Sequence, residues 1–169
     1  MAEQIRGKGV ISGIAVGQAL LAGQNLDGYL AAYHPGSAAE EQSKAEAALV
    51  AVTENLLATI ERLRREEQAE QAAILEAHRM MVQDPMMAEN IRAKIAVSGN
   101  APRSILSVAD DQAKIFEQME DEYFAARAVD LRDVGKRIAR YVLGVKEPEP
   151  GTGQVILCGE EIEPSVVAG

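Results

Sequence analysis

Through the middle of the chain, apolar residues recur at the spacing of a helix face. Ala45, Leu49, Val52, Leu56, Ile60 and Leu63 follow one another at intervals of 4, 3, 4, 4 and 3, which lines them up as one stripe. Before them, Ser37-Ala38-Ala39-Glu40 has the form of a capping box, in which the Ser accepts from an unpaired helix N–H and the Glu reaches back. A long helix is therefore predicted from Ser37, ending in a turn at the polar run Arg64-Arg65-Glu66-Glu67-Gln68. A second helix places Ile74, Leu75, His78, Met81 and Val82 on one face. It is expected to bend or stop near Asp84-Pro85, because proline lacks the N–H and clashes with the preceding turn. A short continuation runs through Met87, Ile91 and Ile95 to Ser98-Gly99. Asn100, with Pro102 behind it, predicts the cap and first turn of a third helix through Ile105, Ala109, Phe116 and Met119. The last helix spans about Asp121 to Leu143, with Phe124, Leu131, Val134, Ile138 and Val142 as its stripe and Gly144 as its stop. Gly135 within it hints at a close helix crossing.

The flanks are different in kind. Six of the 14 glycines lie in residues 1–28 and five in 144–169, with none between Ser37 and Ser98. A glycine inside a helix costs ~1 kcal/mol relative to alanine, so the glycine-free stretch permits long helices. Val10 to Leu21, β-branched and punctuated by glycine, predicts one or two strands, and residues 22–36 a loop ending in His34-Pro35-Gly36. Glu147-Pro148-Glu149-Pro150-Gly151 predicts a linker, and Gln154-Val155-Ile156-Leu157-Cys158 a strand. The expected fold is mainly α: an antiparallel bundle of four helices, the second bent near Pro85, inserted between strands of a small α/β unit. The boundaries expected are 1–34 for the first strands and loop, 35–144 for the helical part, and 145–169 for the linker and the returning α/β part.

Composition narrows the chemistry. Hydrophobic residues at 47% against 25% charged exclude a wholly disordered chain. The 28 alanines, the 4% aromatics and the absence of Trp point to close-packed helices. No apolar stretch approaches the ~20 residues of a membrane span, and Met1-Ala2-Glu3-Gln4 does not open a secretory leader. A cytoplasmic location is expected. One cysteine, Cys158, excludes an internal disulfide, and with two histidines it nearly excludes a His/Cys zinc site. At a strand end, Cys158 is expected to be a small buried group. There is no Gly-rich phosphate loop and no nucleophile elbow, and Glu76-Ala77-His78 has the wrong spacing for a di-iron bundle. From these residues alone, neither catalysis nor a cofactor is expected. The net charge of −9 disfavours broad binding to nucleic acid and makes a basic partner the expectation.

Two features remain. Met80, Met81, Met86 and Met87 crowd the bend between two helical stretches. Methionine fills irregular core gaps, and it also makes soft, adaptable binding surfaces. On a helical projection Met81 shares the apolar face, whereas Met80 turns towards solvent beside Glu76 and Asp84. Such a patch, rimmed by carboxylates, suits a transient protein partner. The second feature is acidic: residues 110–133 hold eight acids against three bases. Within it Tyr123 and Arg127 stand one turn apart and face the same way, either as a local Arg–carboxylate pair with a surface Tyr or as part of the same docking face. His34 is expected to be a loop residue restrained by Pro35; His78 suits a core position and an interface about equally.

Ile74 to Met87 resembles the second-helix motif of enzyme I of the phosphoenolpyruvate:sugar phosphotransferase system, and Asp121 to Arg137 resembles that family's last bundle helix. Gly13-Ile14-Ala15-Val16-Gly17, Val155-Ile156-Leu157 and Pro164-Ser165 match in order and spacing. The resemblance implies a phosphohistidine-type α/β swivelling domain carrying a helical insertion that docks the carrier HPr. It implies an enzyme that takes a phosphoryl group from phosphoenolpyruvate, bound with Mg²⁺ in a C-terminal barrel, holds it on a histidine, and passes it to HPr. The parent is expected to dimerise through its C-terminal part. The docking face maps to Glu70, Glu76, His78, Met80, Met81, Asp84, Met87, Tyr123 and Arg127.

The family's phosphorylated histidine sits in a Gly-Gly-x-x-Ser-His segment beyond the Pro-Ser pair, and neither His34 nor His78 has that context. The chain is therefore expected to be an N-terminal piece of a longer protein, inactive alone, with no catalytic residue, cofactor or metal of its own. Pro85-Met86-Met87 stands where many relatives carry acidic residues before a leucine, which makes the patch more apolar. The resemblance fits parents serving sugar uptake, dihydroxyacetone kinase or nitrogen regulation alike. The alternative expectation is a helical interaction or oligomerisation module without a catalytic role.

Overall fold

In the structure, a computed structural model that describes residues 16–21, 26–119, 121–145 and 155–158, β1 (Gln18–Leu21) leads into six helices. These are α1 (Asp27–Ala32), α2 (Ala38–Arg65), α3 (Ala69–Val82), α4 (Pro85–Ser98), α5 (Ala101–Glu117) and α6 (Glu122–Leu143), followed by β2 (Val155–Cys158). The fold is mainly helical. β1 and β2 pair in parallel, with Gln18 opposite Val155 and Leu21 opposite Cys158. Predicted strand residues 10–15 and Gln154, the linker Glu147–Gly151 and the pair Pro164-Ser165 lie outside the described residues.

The caps set where the helices begin. Ser37 Oγ accepts from the Glu40 N–H at 3.3 Å, and the Ser37 N–H donates to Glu40 Oε2 at 2.7 Å, so both halves of the capping box form. Asn100 Oδ1 accepts from the Arg103 N–H at 3.1 Å and opens α5. Asp84 Oδ1 accepts from the Met86 N–H at 2.9 Å, with Pro85 in the first turn of α4. The expected bend is thus a complete break: the predicted second helix is two helices, because Asp84 starts a new one with its own cap. A further correction concerns the predicted loop 22–36. Its described part contains α1, held where Leu26 is buried and Leu30 packs against the core; six residues are too few to show periodicity.

α2 runs through the middle and touches each of α3, α4, α5 and α6, while α5 and α6 pack along each other. Ala45, Val52, Leu56, Ile60 and Leu63 are buried as their stripe predicts, and Leu49 packs at its edge. Met87, Ile91 and Ile95 of α4 and Leu131, Val134 and Ile138 of α6 complete the core. On α3 the buried residues are Ala72, Leu75, His78 and Val82, whereas Ile74, expected among them, is exposed. The α5–α6 contact is close: a Cβ built on Gly135 would lie 2.4 Å from the Ala109 Cβ. Phe116 and Phe124 stack across the same helix pair, with centroids 5.6 Å apart. Cys158 is half-buried rather than buried.

Candidate functional site

α3 offers two different flanks. One, over the end of α2, forms an open groove lined by Arg64, Ala69, Ala72, Ala73, Glu76, Ala77 and Met80. Alanines make its floor, so Met80 stands clear of its neighbours, 65% exposed. Glu76 sits beside it between two guanidinium groups, 2.5 Å from Arg79 Nη2 and 3.9 Å from Arg64 Nη2. The hydrogen bond from Arg79 holds the Glu76 carboxyl below its ordinary range. Arg79 also donates to Gln83 Oε1 at 2.7 Å. The groove is thus apolar at its base and charged along one lip.

The other flank meets α6. His78 is only 1% exposed, and its imidazole lies between two carboxylates of α6. Nε2 is 3.3 Å from Asp130 Oδ1, and Nδ1 is 3.7 Å from Asp133 Oδ2. Neither nitrogen has an aligned hydrogen-bond partner. Asp130 uses its other oxygen to accept from Arg127 Nη1 at 2.9 Å. Burial raises the Asp130 carboxyl, but contact with His78, and then with Arg127, outweighs that and holds it below its ordinary range.

Met80 is exposed, and Glu76 shares its groove. Glu70 is exposed in the first turn of α3, Met81 is half-buried against the core, and Asp84 is exposed at the head of α4. Tyr123 and Arg127 lie one turn apart in α6. Two mapped residues are corrected. Met87 is 1% exposed and belongs to the core with Ile91 and Ile95; Met86, 59% exposed, is the methionine that faces outward. Spacing carried the signal, since 87, 91 and 95 repeat every four residues and leave 86 outside. His78 is a core residue and cannot touch a partner directly. The acidic run 110–133 is also largely spent within the molecule: Arg132 binds Asp110 at 2.9 Å and Glu117 at 2.5 Å, and Lys114 binds Asp110 at 2.7 Å. Asp130, missed in the sequence, meets His78 across the α3–α6 contact together with Asp133; nothing local distinguishes it from seven other acids. Among the described residues no group of three or more His, Cys, Asp or Glu side chains is arranged to hold a metal ion, and no helix is long and apolar enough to cross a membrane.

The comparisons with known proteins agree with this architecture. The phosphoenolpyruvate-protein phosphotransferase of Streptococcus equinus is 34% identical over 172 residues, covering 99% of this chain and 30% of that protein. That of Staphylococcus carnosus is 39% identical over 103 residues, covering 59% of this chain and 18% of that protein. The chain thus spans less than a third of the length of the curated relatives it matches. Among solved structures, an NMR structure of enzyme I superposes with a TM-score of 0.72 at 30% identity, covering 91% of this chain and 64% of that one. An N-terminal domain of enzyme 1 described as nitrogen shares the fold, with a TM-score of 0.70 at 22% identity, covering 92% and 65%. The family described as "PEP-utilising enzyme, N-terminal" matches residues 6–127, a span that takes in the grooved flank of α3 and reaches Arg127. By that match, the chain belongs to the PEP-utilising enzyme N-terminal family.

Proposed function

We propose that this chain is the N-terminal part of a phosphoenolpyruvate-protein phosphotransferase, and that its helical part, residues 35–144, docks the HPr carrier. A phosphoryl group held on a histidine outside this chain would pass to HPr while the two proteins are in contact. In this reading residues 1–34 and 145–169 belong to the swivelling α/β part, and the helices form a bundle inserted between its strands. Phosphoenolpyruvate and Mg²⁺ are handled by a C-terminal barrel outside this chain, which also joins the parent into a dimer. His78, buried between carboxylates, has no path to a phosphorylated carrier and is not a candidate acceptor.

The observation that carries the reading is Met80, exposed in an alanine-floored groove with Glu76 on its lip. A soft apolar centre with a charged edge suits a small partner with a charged edge of its own, and the net charge of −9 favours fast encounter with a basic one. A relay must release as readily as it binds, which a modest, adaptable interface allows. Glu70, Glu76, Met80, Met81, Asp84, Tyr123 and Arg127 are the proposed contacts, joined by Met86.

Titrating the chain with unphosphorylated HPr and following amide shifts by NMR tests this. Shifts are expected along residues 70–86 and around Arg127, and their absence there removes the proposal. Met80→Asp and Arg127→Glu are each expected to weaken HPr about tenfold or more without unfolding the bundle. Equal affinity in both variants refutes the mapped face, and a stable dimer burying Met80 in light scattering supports the oligomerisation module instead.

A further inference from the structure

We propose that Asp130 is a positioning residue of the docking face, holding the Arg127 guanidinium in place for the partner while itself anchored to the buried imidazole of His78. This rests on the docking reading above. The geometry is a division of labour within one carboxylate: Oδ2 accepts from Arg127 Nη1 at 2.9 Å, and Oδ1 lies 3.3 Å from His78 Nε2. The arginine and the aspartate are on α6 and the histidine on α3, so the link crosses between two of the helices that supply the proposed contacts.

Burial separates this pair from the ordinary ion pairs of the surface. In Arg92–Glu46 both side chains are more than half exposed, and such pairs contribute little. Asp130 is 16% exposed and Arg127 30%, with His78 and Asp133 closing off the inner side. A carboxylate placed so has little freedom to leave its partners. An arginine tethered to it arrives at an encounter with its rotamers already restricted, and less ordering is left for binding. The Asp130 carboxyl, held below its ordinary range by His78 and Arg127 against the cost of burial, keeps that tether charged across the neutral range.

The test is a binding cycle with a spectroscopic readout on the whole 169-residue chain. Asp130→Asn is expected to weaken unphosphorylated HPr about tenfold with an unchanged amide fingerprint outside α3 and α6. It should have no further effect on an Arg127→Ala background. The Arg127 Nε–Hε resonance, sharp in the native chain, should broaden or exchange faster in Asp130→Asn. Asp130→Glu, which keeps the charge but shifts it by one methylene, should fall between the two, and it serves as the variant if Asp130→Asn does not fold. Native affinity in Asp130→Asn, an undiminished loss in the Arg127→Ala background, or an unchanged Arg127 resonance overturns the proposal. Should the native chain not bind HPr at all, the docking reading fails, whereas the Arg127 resonance still decides whether Asp130 holds the guanidinium.

Discussion

At the scale of single residues, the most constrained group is Glu41. It continues the α2 stripe four positions before Ala45, is fully buried, and accepts hydrogen bonds from four donors. Tyr33 Oη donates at 2.8 and 2.9 Å, the Gly36 N–H at 3.0 Å, the Ala101 N–H at 2.9 Å and Lys44 Nζ at 2.7 Å. Burial pushes its carboxyl up, but these donors, Lys44 foremost, outweigh burial and hold it at about 2. Because the folded value lies below the unfolded one, the stabilisation is fully present above the ordinary carboxylate range. It drains as pH falls from there towards 2, by on the order of 3 kcal/mol. Glu41→Gln would bring an amide against N–H donors, and is expected to cost about 2–4 kcal/mol at neutral pH while flattening the acid limb of a pH series of urea melts. A variant whose acid limb matches the native one would show that Glu41 does not carry it. Periodicity places position 41 on the stripe, but an acid in the first turn of a helix is ordinarily solvated, so the residue type hid its burial.

Between elements, the tightest demand falls on Gly135, where a side chain would collide with Ala109. Alanine is the better helix former by ~1 kcal/mol, so the sign of Gly135→Ala depends on whether α5 and α6 can part. With backbone and a rigid methyl facing each other, a net loss of about 1–3 kcal/mol is expected. Ala109→Gly on top should recover part of it in thermal melts; absence of any recovery would place the strain elsewhere. This crossing was legible in the sequence, as were the capping box at Ser37, the Asn100 cap and an interruption at Asp84-Pro85, because each is a local chemical signal. What escaped was set by partners distant in sequence or by strain. α1 is held by Leu26 and Leu30 against the core, and the turn after α2 puts Glu67 at φ 60 without a glycine to announce it. The exchange of Met87 for Met86, by contrast, was legible in the 87, 91, 95 spacing of α4.

Over the whole molecule, individual acids are less available than their number suggests, because Arg132, Lys114 and Lys94 hold Asp110, Asp111 and Glu117 across or along helices, while the net excess is unchanged. What was legible of the site was therefore its helix and its exposed Met80; which acids are spent internally required the packing. The parallel seam of β1 and β2 has a mechanical corollary. Gln18 and Cys158 stand at opposite ends of that ladder, whereas Leu21 and Cys158 share one end. Traction between Gln18 and Cys158 loads every rung in shear at once, and traction between Leu21 and Cys158 peels them singly. With optical-tweezer handles at those two pairs, the first attachment should rupture at the higher force, and equal rupture forces would mean the seam bears no tension.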